Sequence, residues 1–260
     1  MKNVLKIALA QWNVREGDLD HNTGKLAEMA ARAGDQKSDL MLIPEMWYIG
    51  YEYSLFNRLA TGFDAGAFTF QGELARKHSL AICGSSVRCE RGKFFNTMAF
   101  YDHAGDLILH YDKMFLFAPM GEAEHFSSGR QIAAVEWHGW KIGLAMCYDL
   151  RFPELFRAQV KQGVQLFLLS AQWPVTRIAH WDLLLRARAV ENQAFVAGCN
   201  RTGENPSYQF PGKSAVINPG GEQLIKTDDR EGLWVTEIDI DDLFESRRSL
   251  PFLDDMRDDL

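Results

Sequence analysis

One stretch constrains this chain most: Lys141-Ile142-Gly143-Leu144-Ala145-Met146-Cys147-Tyr148-Asp149-Leu150-Arg151-Phe152-Pro153-Glu154-Leu155. Its apolar run fits a buried strand. Pro153 with Glu154 fits the first turn of a helix, where proline's missing N–H costs nothing. Cys147 therefore falls on a sharp strand-to-helix bend. A side chain there projects out of the backbone, and the N–H groups just after it can receive a developing oxyanion and raise the thiolate fraction. Cys147 reads as a nucleophile, or otherwise as a small buried hydrophobe, the common fate of a free cysteine.

Strands are expected near Leu5–Gln11, Asp39–Pro44 and Leu80–Val87, with helices near Asn22–Ala33 and Phe70–Lys77, an alternation that suggests an α/β sheet. Further strands are expected at Phe94–Tyr101, Leu107–Tyr111, Ala133–Trp137, Lys141–Met146, Leu166–Ser170, Phe195–Asn200, Ser214–Asn218 and Leu233–Ile238. That is too many for one simple doubly wound sheet. Arg91-Gly92, Ala104-Gly105, His138-Gly139 and Pro219-Gly220-Gly221 sit between neighbouring strands, so hairpins mix with crossovers. A mixed two-sheet sandwich flanked by helices follows. With 260 residues, 47% of them hydrophobic, and no linker, repeat or low-complexity block, residues 1–260 read as a single domain.

The formal charge of −7 argues against nucleic acid, which needs a basic face. Lys6, Gln11 and Trp12 break the amino-terminal apolar stretch too early for a secretory signal, and no apolar run approaches membrane-spanning length. Cys83, Cys89, Cys147 and Cys199 form neither a CxxC pair nor zinc spacing, and no histidine pair stands at i, i+4. The expectation is a cytoplasmic chain that uses no metal or cofactor and binds neither membrane nor nucleic acid.

Two charged residues sit where strands meet loops. Glu45 closes Leu40-Met41-Leu42-Ile43-Pro44, and a carboxylate at the end of a buried strand is costly unless it does something there. Lys113 ends Leu109-His110-Tyr111-Asp112-Lys113, just before Phe115-Leu116-Phe117. Taken singly, each is equally a solvated loop charge. With Cys147, and with Leu42-Ile43-Pro44-Glu45, Tyr111-Asp112-Lys113, the cysteine segment and Ala187-Arg188-Ala189-Val190-Glu191-Asn192-Gln193, they resemble the nitrilase superfamily of carbon–nitrogen hydrolases and its Glu-Lys-Cys triad. The resemblance runs from Ala8–Gln11 to Asp254–Arg257.

That resemblance implies an α/β fold of the four-layer α-β-β-α type, pairing as a homodimer or higher homo-oligomer, with residues 241–260 as a tail that reaches over a partner or forms an edge of its own domain. It implies a further glutamate ahead of Gly129, matched by Glu122 rather than Glu124. It also implies a thioester mechanism: Glu45 as general base, Lys113 and the Tyr148 N–H on the oxyanion, and Glu122 orienting Lys113. Asp149 and Arg151 could form a buried ion pair that fixes the bend. The segments around Gln172-Trp173-Pro174 and Cys199-Asn200-Arg201 are similar to the ω-amidase-like branch, which usually has Asn where Gln172 stands. A pocket walled by Trp47, Tyr48, Phe117 and Trp173, with Arg151 or Arg177 meeting a carboxylate, is the expected substrate site, although core packing explains the same aromatics.

Three functions follow from this reading. The first is an amidase releasing ammonia from a small carboxylate-bearing amide. The second is an N-carbamoyl amino-acid hydrolase or nitrilase using the same triad. The third is a non-catalytic dimeric interaction protein.

Overall fold

The computed structural model describes residues 2–257. In the first half of the chain the strands are β1 (Val4–Gln11), β2 (Leu40–Leu42), β3 (Ala81–Glu90), β4 (Lys93–Tyr101), β5 (Leu107–Asp112), β6 (Ala134–Trp137) and β7 (Trp140–Met146). The second half adds β8 (Leu166–Ala171), β9 (Phe195–Asn200), β10 (Thr202–Glu204), β11 (Gln209–Pro211), β12 (Ala215–Ile217), β13 (Gln223–Lys226) and β14 (Gly232–Asp239). The helices are α1 (Leu19–Asp35), α2 (Phe56–Leu59), α3 (Gly66–His78), α4 (Glu122–His125), α5 (Pro153–Val160), α6 (Ile178–Asn192) and α7 (Ile240–Ser249).

Two six-stranded sheets form, in the orders β14-β1-β2-β3-β4-β5 and β13-β12-β9-β8-β7-β6. Each has a parallel centre, β1-β2-β3 and β7-β8-β9, flanked by antiparallel strands. Parallel strands need cover on both faces, and the alternation along β1 shows how it is met. Leu5, Ile7 and Leu9 join the core between the sheets, whereas Ala8 and Ala10 pack with Leu26 and Met29 of α1 and Phe68 of α3. On the second sheet, Phe156 of α5 and Trp181 and Leu185 of α6 complete the outer layer. The result is the expected α-β-β-α sandwich, and sheet meets sheet through β1, β2 and β3 on one side and β8 and β9 on the other.

The turn chemistry follows the sequence. Arg91-Gly92 and His138-Gly139 join β3 to β4 and β6 to β7 with positive φ at both positions, as a two-residue hairpin of type I′ requires. The motif Ala187–Gln193 falls at the end of the long helix α6, which the strand and helix pattern above does not include. Of the two courses expected for the tail, its first part packs on its own domain: Asp239 caps α7, Ile240 and Leu243 are buried, and Arg247 donates to the carbonyls of Gln193 and Val164. Residues 258–260 of that expected tail lie outside the described residues.

Candidate active site

The functional candidates gather at one end of both sheets, where strands leave into loops. Glu45 follows β2, Lys113 follows β5, Cys147 follows β7, Gln172 and Trp173 follow β8, and Glu122 opens α4. Ligand sites of open α/β sheets form beyond the carboxyl ends of the strands for this reason.

Lys113, Glu45 and Glu122 have fully buried side chains, and Lys113 Nζ donates to Oε1 of both glutamates at 2.8 Å. Asn96 Nδ2 reaches Glu45 Oε1 at 2.9 Å, and the Tyr51 hydroxyl donates to Glu122 Oε1 at 2.7 Å. The Phe117 N–H donates to Glu122 Oε2, and the Gln172 N–H donates to Glu45 Oε2 at 2.9 Å. Burial alone would lower the Lys113 ammonium pKa, but Glu122 and then Glu45 outweigh it and hold it well above the usual lysine value. Lys113 stays charged. Its backbone is fixed as well: Gly129 N donates to Lys113 O at 2.8 Å, and a Cβ on Gly129 would stand 2.0 Å from the Asp112 carbonyl oxygen, so only glycine allows that approach. Glu122 is buried whereas Glu124 is exposed, so the structure brings the former, not the latter, to Lys113.

Cys147 sits on the bend with φ 40° and is 6% exposed. It opens a 3-10 turn that runs to Arg151, so the first N–H groups of that turn have no carbonyl ahead of them within it. Burial, and then the Glu45 carboxylate, push the thiol well above its usual range, while Lys113 and the Gln172 N–H pull it down. At neutral pH the resting sulfur is a thiol, and forming thiolate needs a base.

The expected Asp149–Arg151 pair is not present. Asp149 points back into the bend, accepting from the Met146 N–H at 2.9 Å, the Phe115 N–H at 3.0 Å and the Tyr111 hydroxyl at 2.8 Å. Arg151 turns outward, its guanidinium 4.7 Å from the centre of the Trp173 ring. The bend already supplies Asp149 with neutral donors, and the aromatic face takes the cation.

Phe117, Cys147, Tyr148, Arg151, Gln172, Trp173, Pro174 and Arg177 line a cavity of about 250 Å³ that includes its open mouth. Trp47 and Tyr48, expected in this wall, do not line it, because Trp47 is buried with Phe68 in the core under the outer helices. Arg177 lies 5.5 Å from the Phe117 ring centre. Neither Arg151 nor Arg177 makes an ion pair with a carboxylate among the described residues. Sequence reasoning missed Tyr51, Asn96 and Arg201, each of which touches the buried network. The one available signal was an Asn inside an apolar strand pattern, which needs a buried partner. Among the described residues, no group of three or more His, Cys, Asp or Glu is arranged to hold a metal, and no helix is long and apolar enough to cross a membrane.

The sequence profile described as carbon-nitrogen hydrolase matches residues 6–248. The chain belongs to the carbon-nitrogen hydrolase family. A 2-oxoglutaramate amidase of Bacillus subtilis (strain 168) is 36% identical over 255 residues, covering 98% of each chain. An omega-amidase of Danio rerio is 31% identical over 265 residues, covering 98% of this chain and 95% of its own. Among solved structures, a CN-hydrolase superfamily protein of Xanthomonas campestris, carrying an arsenic adduct in its active site, superposes with a TM-score of 0.91 at 32% identity, covering 98% of each chain. This carbon-nitrogen hydrolase thus shares the sandwich and the hydrolytic class of its family.

Proposed function

We propose that this hydrolase is an amidase that releases ammonia from a short amide carrying a distal carboxylate, of the 2-oxoglutaramate kind, through a thioester on Cys147. The observation that carries this reading is the pair of guanidiniums without carboxylate partners, Arg151 and Arg177, in the wall of the cavity that holds the Cys147 sulfur. A substrate carboxylate supplies the missing counter-charge. The amidases among the relatives support the same class.

Glu45 Oε2 receives one hydrogen bond, from the Gln172 N–H, and so has a lone pair for the thiol proton. Glu45 takes that proton as sulfur attacks the carbonyl carbon. The transfer is internal: a Glu45 carboxylate and a neutral thiol become a neutral Glu45 and a thiolate, so the buried site's net charge does not change. Two of the three Lys113 protons are committed to carboxylates. The third, with the Tyr148 N–H, meets the oxyanion, a type of contact worth roughly 3 kcal/mol in other enzymes. As the C–N bond breaks, Glu45 returns its proton to the leaving nitrogen and ammonia departs. Glu45 then deprotonates the water that attacks the thioester, the C–S bond breaks to release the acid, and Glu45 returns the proton to the Cys147 sulfur, while Glu122 holds Lys113 in place.

Free thiols at Cys83, Cys89, Cys147 and Cys199 support placement in a reducing cytoplasm. Leu183 and Val190 of α6 are exposed apolar residues, 66% and 45% accessible, which supports a homodimer paired across the helical face. Light scattering at working concentration tests that assembly. The functional test is ammonia release from small amides, carbamoyl amino acids and nitriles, comparing the native chain with Cys147→Ala. Cys147-dependent release from carboxylate-bearing amides is expected. Release confined to carbamoyl compounds or nitriles overturns the substrate class, and no release from any of them returns the chain to a binding role.

A further inference from the structure

Arg201 follows β9, and its side chain is fully buried, a costly place for a cation unless charge and hydrogen bonds are matched. They are nearly matched. Nη1 donates to Glu16 Oε1 at 2.7 Å and to Gln172 Oε1 at 2.8 Å. Nη2 donates to Asn13 Oδ1 at 3.1 Å and to the Glu204 carbonyl at 3.0 Å, and the guanidinium lies 4.4 Å from the Phe210 ring centre. Burial pushes the Glu16 carboxyl up, but Arg201 outweighs it and holds it below the usual range, so the pair is ionised at neutral pH.

The link from this pair to the chemistry is the Gln172 amide. Its Nε2 donates to the Glu45 carbonyl at 2.8 Å, while the Gln172 main-chain N–H holds Glu45 Oε2 at 2.9 Å. A guanidinium only donates and a carbonyl only accepts. Arg201 on one side and the Glu45 carbonyl on the other therefore dictate which way the amide faces. The main chain gripped in this way runs directly into Met46, whose φ of 51° is left-handed and needs support from its surroundings. Gln172 lines the cavity, and Arg201 does not.

We infer that Arg201 is a positioning residue for the reaction, fixing the Gln172 amide so that Glu45 keeps its main chain and its Oε2 in register with the nucleophile. This rests on the reading of Glu45 as the base. A displacement of about 1 Å at a reacting group costs on the order of 10²-fold in rate, which sets the effect to look for.

The test measures kcat and KM on 2-oxoglutaramate at neutral pH for Arg201→Met, Arg201→Lys, Gln172→Glu, the Arg201→Met/Gln172→Glu double variant and Glu45→Gln. It also follows iodoacetamide labelling of each cysteine by peptide mass spectrometry. Gln172→Glu is the informative change, because it keeps an acceptor for Arg201 but sets oxygen against oxygen at the Glu45 carbonyl. Both Arg201→Met and Gln172→Glu should lower kcat about 10²-fold with KM little changed, Arg201→Lys should recover part of it, and the double variant should be no worse than the poorer single one. Labelling of Cys147 should slow in step, with buried Cys83 and Cys199 still protected. A merely structural Arg201 predicts instead that Arg201→Met exposes Cys83 and Cys199. That result overturns the inference, as does full activity in Gln172→Glu or an unaltered kcat in Arg201→Met. Full activity in Glu45→Gln would instead remove the base reading, and is distinguishable because it does not involve Arg201.

Discussion

Asp149→Asn tests how the bend that carries Cys147 is held. Asp149 is fully buried and accepts three hydrogen bonds, two from main-chain N–H groups and one from Tyr111. Those donors and the Lys113 charge favour the carboxylate, yet burial outweighs them and lifts its pKa from 3.8 to about 7. A carboxyl raised in the native state binds more protons folded than unfolded between those two values. Its contribution is therefore fully present below the unfolded value and is lost as pH rises through the folded one. Taking 3.8 for the unfolded chain and about 7 for the folded one, the native protein loses about 2.5 kcal/mol between about pH 5 and about pH 8 from this group. The Asn variant does not titrate and loses none of it. It does set an amide N–H₂ against a buried donor, a constant penalty of about 1–3 kcal/mol. The assay is urea unfolding of both proteins at one fixed concentration across that range. The stability difference, native minus variant, should shrink by about 2.5 kcal/mol as pH rises. A constant difference across that range would mean that burial does not lift the Asp149 carboxyl above its ordinary value, and the argument would be refuted.

Other predictions concern the charged groups around the sulfur. Lys113→Met leaves two carboxylates buried without the cation that both touch at 2.8 Å. It should abolish turnover and cost roughly 3–5 kcal/mol of stability, read by thermal or urea unfolding; an exposed lysine would cost almost nothing. Arg151→Ala and Arg177→Ala should each weaken capture of carboxylate-bearing amides by about 1.5–3 kcal/mol, near 10- to 100-fold in kcat/KM, and leave an uncharged short amide far less affected. Equal losses on both substrates would make the arginines wall, not ligand. Cys147→Ala should abolish ammonia release while unfolding as the native chain does.

How much of this was legible in the sequence depended on whether the signal was local. The bend at Cys147 could be read because an apolar run, a cysteine and a proline lie within a few residues of one another, and Arg91-Gly92 and His138-Gly139 announced their hairpins in the same way. Glu45 and Lys113 were visible as charges at strand ends. The helix α6 was not recognised, since Leu183 and Val190 stand exposed among its polar residues and blur the helical period. For α7 the signals are local and present: Asp239 at the cap, Asp241 and Asp242 in the first turn, Arg247 and Arg248 in the last. Arg151 was assigned to Asp149 by proximity in sequence, and the fold separates them because one faces into the bend and the other out onto Trp173. Tyr51 and Asn96 could not be placed at all, and Arg201 stood only within a motif without a role, because each reaches the site through contacts between distant segments.

The two residues that would carry the chemistry follow strands of opposing sheets, and both are tied to left-handed backbone. Cys147 itself has φ 40°, and Met46, next to Glu45, has φ 51°. Neither is glycine, so each conformation costs of order 1–3 kcal/mol and persists only where surrounding contacts determine it. Those contacts are identifiable. The Met46 N–H donates to Ser85 Oγ at 2.9 Å and the Glu45 carbonyl accepts from Gln172, while Asp149 takes the N–H of Met146 just ahead of the bend. Relaxing either turn would free a main-chain group that burial leaves without water, at a cost comparable to the strain itself. The supports come from the neighbouring strand for Glu45 and from within the turn for Cys147, with Gln172 joining the two sheets. This places the origin of the site's rigidity in the meeting of the sheets, which explains why residues as remote in sequence as Asn96 and Arg201 belong to it.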